Sequence, residues 1–311
     1  MRKRNAFTPL ETRTPDRVRG RVRGRFLPKG CPWVITGFTL IELLVVISII
    51  ALLLAILLPT LHLVRRRAKA VACQSNLYQW GLMFSMYTAN NDGRFFMSTH
   101  GDTWIEPMQP YYDDCKDSLF LCPMATKHYI ENPNQIPPDT ILDSVTKKRF
   151  WALKYIGGGT KFHAWLLLEP KLFCSYGLND WVMDDQLTPF NMDCRWRTCD
   201  VGDASNVPVF LDCVWRGARP HYLDRPLEDE GYPPRSPIGW DEHHSAMQYF
   251  CIDRHDGFIN SLFMDRSVRK VGLKELWTLK WHRWFNTAGP WTKAGGVEPE
   301  DWPKWMRRLK D

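Results

Sequence analysis

The feature that most constrains this chain is an uncharged apolar run from Leu43 to Leu61, "LLVVISIIALLLAILLPTL". As a helix, its 19 residues span about 29 Å, close to the hydrocarbon thickness of a bilayer. The run is too long for the apolar core of a cleaved secretory signal, and no small-x-small cleavage site follows it. Arg65, Arg66, Arg67 and Lys69 end it. One acid, Glu42, stands at its front edge. A lone carboxylate near the end of a membrane helix is unfavourable, so it must reach the headgroups or find a counter-charge from another chain.

Charge is unevenly spread along the chain. Residues 1–37 hold ten Lys/Arg against two Asp/Glu, whereas residues 38–311 carry a net charge of −1. An argument for nucleic-acid binding would rest on the first segment alone, so no nucleic-acid partner is expected. On the N-terminal side of the run, the basic residues outnumber those beyond it once the whole leader is counted. This favours a cytoplasmic N-terminus. Nine cysteines are present, none in a C-x-x-C pair. The pattern is unlike a zinc ribbon or a thioredoxin site, and is compatible either with disulfides in an exported domain or with buried free thiols.

The stretch "TGFTLIELLVVISIIALLLAILLP" (36–59) closely resembles the N-terminus of type IV prepilins and type II secretion pseudopilins. The resemblance implies a basic leader that a prepilin peptidase cuts after Gly37. It implies that Phe38 becomes the methylated N-terminus, and that Glu42, the fifth mature residue, recognises the N-terminus of a neighbouring subunit during assembly. The partners implied are the peptidase, other pilin or pseudopilin subunits, and membrane lipid. The location implied is the inner membrane, single-pass, with the head periplasmic or extracellular, or in a pilus or pseudopilus. The leader is long at 37 residues, and "AFTPLE" (6–11) reads as a decoy of the cleavage region, since the charged stretch after it cannot span a bilayer.

Beyond the run, Leu61, Val64, Ala68, Val71, Ser75, Tyr78, Leu82 and Ser85 recur at helical steps, beside a second stripe of Leu77, Trp80, Phe84 and Tyr87. Packing on the chain's own head is expected, with a separate partner as the alternative. "NNDG" stops the helix, with Gly93 placed as its C-terminal cap, and Pro59 is expected to bend or loosen it. The fold expected is α+β. A leader (1–37) precedes a helix (38–93) whose first part, about 38–61, spans the membrane and whose second part is amphipathic. The helix packs on a β-rich head (94–311) that ends in a Trp-rich tail.

In the head, "VPVFLDCVW" (207–215) and "GFINSLFM" (257–264) read as strands. Asp265 and Arg266 mark a hairpin turn before "SVRKV", although Arg suits a positive-φ turn position poorly. The tail is similar to that of a pseudopilin-like group carrying His-x9-Asp-Gly. His255 and Asp265 match, and Arg266 stands where Gly is expected. Together the two resemblances cover roughly 36–95 and 250–310. His255 and Asp265 are assigned a structural role, tying the hairpin by hydrogen bonds.

His243, His244, Asp253, His255, Asp256 and Asp265 concentrate polar groups, but no H-E-x-x-H or comparable spacing is present, so no catalytic metal is assigned. Calcium is a possibility that the resemblance brings. "LNDWVMDD" (178–185) offers oxygens without EF-hand spacing, and no ligands are assigned. "YIGGGTKF" is not a phosphate loop, and no nucleophile motif is found. An enzyme is not expected. The function expected is that of a structural subunit. The alternative is a membrane-anchored module binding polysaccharide or a partner, motivated by Trp277, Trp281 and Trp284, which would share one helical face if exposed. Asp301-Trp302-Pro303 resembles a helix start.

Overall fold

A computed structural model describes residues 38–97, 104–112, 117–125, 127–128, 155–156, 160–167, 172–184, 194–229 and 246–310. The chain divides into two compact units, Met1–Ala55 and Ile56–Asp311. The first helix, α1 (Leu40–Ala89), is one uninterrupted element of 50 residues. Pro59 lies inside it and does not break it. The neighbouring Thr60 hydroxyl donates to the Leu57 carbonyl at 2.8 Å. The helix stops where the sequence places its end: Gly93 takes φ +75°, and its N–H donates to the Thr88 carbonyl at 2.8 Å. Glycine tolerates this left-handed conformation because it has no Cβ.

The head is built on a five-stranded sheet in the order β7-β5-β6-β8-β9. Its strands are β5 (Tyr176–Asn179), β6 (Pro208–Asp212), β7 (Gly217–Ala218), β8 (Phe258–Phe263) and β9 (Val268–Gly272). All the pairings are antiparallel except β5 with β7. A smaller sheet joins β1 (Lys127–His128), β2 (Tyr155–Ile156) and β4 (Leu172–Cys174) to β3 (His163–Leu167). A short helix, α2 (Ile105–Tyr112), completes the α+β architecture that the sequence predicts.

The head covers one face of α1. Cys73, Leu77, Trp80, Gly81 and Phe84 are buried. Trp80 lies 5.2 Å from Phe210 of β6, ring centre to ring centre, and also meets Trp104, Tyr112 and Phe120. Its indole N–H donates to the Leu119 carbonyl at 3.2 Å, so burial leaves no polar atom stranded. Gly81 provides close approach to β8: a Cβ there would lie 2.8 Å from Leu262 Cδ1. The Asn260 amide of β8 donates to the Ala70 carbonyl and accepts from Gln74.

Only one of the two helical stripes is covered. Leu77, Trp80 and Phe84 lie in the core, with Tyr87 half-buried beside it. Leu61, Val64, Val71, Tyr78 and Leu82 are exposed, which corrects, for this stripe, the expectation of packing on the head. The sheet is narrow enough to cover one side of the helix, and Trp80 with Phe84 supplies the larger apolar surface for it.

The hairpin is wider than two residues. The last paired positions are Leu262 and Val268. Arg266 N–H donates to the Phe263 carbonyl, and Phe263 N–H to the Ser267 carbonyl, both at 2.9 Å. This encloses Met264, Asp265 and Arg266, with Arg266 left-handed at φ +71°. That is the three-residue loop whose last position ordinarily takes glycine. An Arg266→Gly variant is expected to be about 0.5–1 kcal/mol more stable, because relief of the Cβ strain exceeds the entropy that glycine adds to the unfolded chain. Urea unfolding with an unchanged m-value measures it. Equal midpoints would rule out strain at this residue.

Candidate functional site

Gly37 lies outside the described residues. Phe38 is exposed, and Thr39 and Glu42 form a reciprocal cap at the start of α1. The Glu42 carboxylate accepts from the Thr39 N–H at 2.8 Å and from its hydroxyl at 2.7 Å. The Glu42 N–H donates to the Thr39 hydroxyl at 3.3 Å. Thr-x-x-Glu is a capping box, and it satisfies backbone donors that a helix end leaves free. The spacing is legible in "TLIE" and gives Glu42 a role within its own chain that hydropathy reasoning passes over.

His255 and Asp265 flank β8 at opposite ends. Asp265 accepts from the Ser267 N–H at 2.9 Å and from its hydroxyl at 2.6 Å, which holds the turn. His255 is buried, and its backbone N–H donates to the Phe258 carbonyl at 3.0 Å. The remaining polar groups picked out near it are dispersed. Asp253 accepts from the Gly257 N–H and pairs with Lys161 at 3.5 Å. Asp256 pairs with Arg66 at the surface. His243 and His244 lie outside the described residues.

What His255 does join is a buried polar centre that sequence reasoning missed. Asp212, the last residue of β6, is fully buried. Its carboxylate meets Arg254 Nη1 at 3.0 Å, His255 Nε2 at 3.1 Å and the Asn260 N–H at 2.9 Å. Cys73 Sγ of α1 lies 3.5 Å from each of its oxygens. Cys122 Sγ lies 3.4 Å from His255 Nε2. The Tyr176 hydroxyl reaches Cys73 Sγ at 3.5 Å. Arg254 is itself enclosed and donates to the carbonyls of Lys161, Ser175 and Cys213.

Burial works against charge at Asp212, but His255, Arg254 and the Asn260 N–H outweigh it and hold the carboxyl well below the usual range. Burial likewise opposes the His255 cation, yet Asp212 beside it pushes the imidazole up to about 10. Burial pushes the Cys73 thiol well above its usual range, Cys174 up to about 12, and Cys213 and Cys251 up as well. All seven described cysteines are free thiols, five of them buried and Cys194 and Cys199 half-buried.

Two further stretches singled out in the sequence are described. In "LNDWVMDD", Asp184 is bonded to Arg94 Nη1 at 2.9 Å, and the charges of Arg216, Arg219 and Arg195 act on the buried Asp180. The Oδ1 atoms of Asp180 and Asp184 are buried and accept no hydrogen bond among the described residues, and Asp185 lies outside the described residues. In the tail, Trp277 and Trp281 are buried while Trp284 is 68% exposed, so they form no common binding face. The segment is a 3-10 turn at Glu275–Thr278 rather than a helix. Their indole N–H groups donate to the carbonyls of Asp224 and Leu276, both at 2.7 Å. Trp302 is buried against Trp277 and Trp291. Asp301-Trp302-Pro303 opens a series of turns, not a helix. Trp277, Trp281 and Trp302 are core, so Trp277, Trp281 and Trp284 present no shared exposed face.

Residues 35–58 match the family model of the prokaryotic N-terminal methylation motif. The motif runs into the long apolar helix, whose Leu40–Ala89 element contains a segment long and apolar enough to cross a membrane. The motif and the apolar helix that follows it fit a type IV pilin-like protein. A motif of this kind implies processing by a prepilin peptidase and assembly with other pilins. No curated protein and no solved structure gives a significant match.

Proposed function

We propose that this chain is a structural prepilin-like subunit, cleaved after Gly37, methylated at Phe38, and assembled into a pilus or type II secretion pseudopilus. In this reading the leader is cytoplasmic and the head lies across the membrane. The observation that carries the proposal is the methylation motif at 35–58 joined directly to a membrane-length helix. The uncovered stripe adds support. Leu61, Val64, Val71, Tyr78 and Leu82 form an apolar helical face that nothing among the described residues covers, which suits packing on the helix of another subunit.

Intact-mass and N-terminal peptide analysis of the protein from membranes tests the processing. The expected mature chain begins at methylated Phe38, and a Gly37→Val variant is expected to remain uncut because a branched side chain crowds the scissile junction. A chain that keeps its leader in cells with an active prepilin peptidase would overturn the proposal.

A further inference from the structure

We propose that Cys73, Cys122, Asp212 and His255 form a structural binding site for a divalent, thiophilic metal ion, with zinc the best match. Each offers one ligating atom, all four residues are buried, and the four atoms lie within 4.8 Å of one another. Tetrahedral zinc with bonds of about 2.0–2.3 Å places neighbouring ligand atoms about 3.3–3.8 Å apart. The distances found are 3.5 Å from Cys73 Sγ to Asp212, 3.4 Å from Cys122 Sγ to His255 Nε2 and 3.1 Å from His255 Nε2 to Asp212. These are close to the edges of such a tetrahedron, and two sulfurs, an imidazole and a carboxylate are a donor set that zinc accepts.

Charge and surroundings agree with this assignment. Two thiolates, a carboxylate and a divalent ion sum to −1, and the enclosed Arg254, bonded to Asp212 Oδ1, brings the centre to neutrality. Arg254, the Asn260 N–H and the Tyr176 hydroxyl supply the outer contacts that orient metal ligands. His255 also lines a small surface pocket with Arg66, Arg67, Asp256 and Lys270. The four residues come from α1, the segment after α2, the end of β6 and the approach to β8. One ion would therefore clamp the second half of α1 to the head sheet. This goes beyond the subunit assignment, which stands whether or not the metal binds.

The test is metal analysis of the reduced, full-length chain in detergent after dialysis against zinc, followed by cobalt substitution. The expected result is one zinc per chain, with cobalt giving thiolate charge-transfer and tetrahedral d–d bands. Cys122→Ser is expected to lower zinc affinity at least tenfold. Cys122→His, which keeps four ligands, is expected to retain the ion with a weaker charge-transfer band, and Cys199→Ser to bind as the parent does. Near-UV circular dichroism of each variant separates loss of the ion from loss of the fold. Absence of stoichiometric metal in the folded parent would overturn the proposal. So would undiminished binding by folded Cys122→Ser, or a native Cys73–Cys122 disulfide, seen as a mass lower by two hydrogens.

Discussion

Glu42→Val is expected to reduce crosslinking between adjacent subunits in membranes at least about fivefold at equal expression, while insertion and leader cleavage proceed. The span becomes more apolar on substitution, so insertion is not impaired. What is lost is the counter-charge for an incoming N-terminal ammonium, which would be desolvated without a partner at a cost of about 1–3 kcal/mol. Each 1.4 kcal/mol is about tenfold in an equilibrium. The capping box complicates a single substitution, because Val removes both the charge and the bonds to Thr39. Glu42→Gln separates the two. Glutamine serves a capping box as glutamate does, but carries no charge. Both variants are expected to lose crosslinking. A Gln variant that assembles like the parent while Val fails would make Glu42 a capping residue only. Parental crosslinking in both would remove it from assembly altogether.

Arg254→Met is expected to destabilise the head by about 3–5 kcal/mol, the usual consequence of leaving one partner of a buried ion pair uncompensated. Arg254 and Asp212 both have fully enclosed side chains. The substitution leaves the Asp212 carboxylate with His255 and the Asn260 N–H, and strips a donor from the carbonyls of Lys161, Ser175 and Cys213. Urea unfolding of the full chain in detergent measures the loss. Adding Asp212→Asn to the variant is expected to cost less than the sum of the two single changes, since the stranded charge is then gone. A loss under about 1 kcal/mol for Arg254→Met would mean that water or a rearranged side chain serves Asp212 as well as the guanidinium does.

The sequence by itself determined what depends on neighbours along the chain. The membrane-length helix, the methylation motif, the stop at Gly93 and the position of the hairpin after β8 all follow from local period, turn chemistry and length. Even the capping box is written in four consecutive residues. The tertiary structure decided which helical stripe would be covered, because both have the same period and only the head's width and shape choose between them. It placed Trp277 and Trp281 in the core, where composition allowed a binding face instead. It also assembled the polar centre. Cys73 and Asp212 stand 139 residues apart and Cys122 and His255 stand 133 apart. No spacing rule links such positions, and they meet because α1 packs on β6 and β8 beside the segments that carry Cys122 and His255.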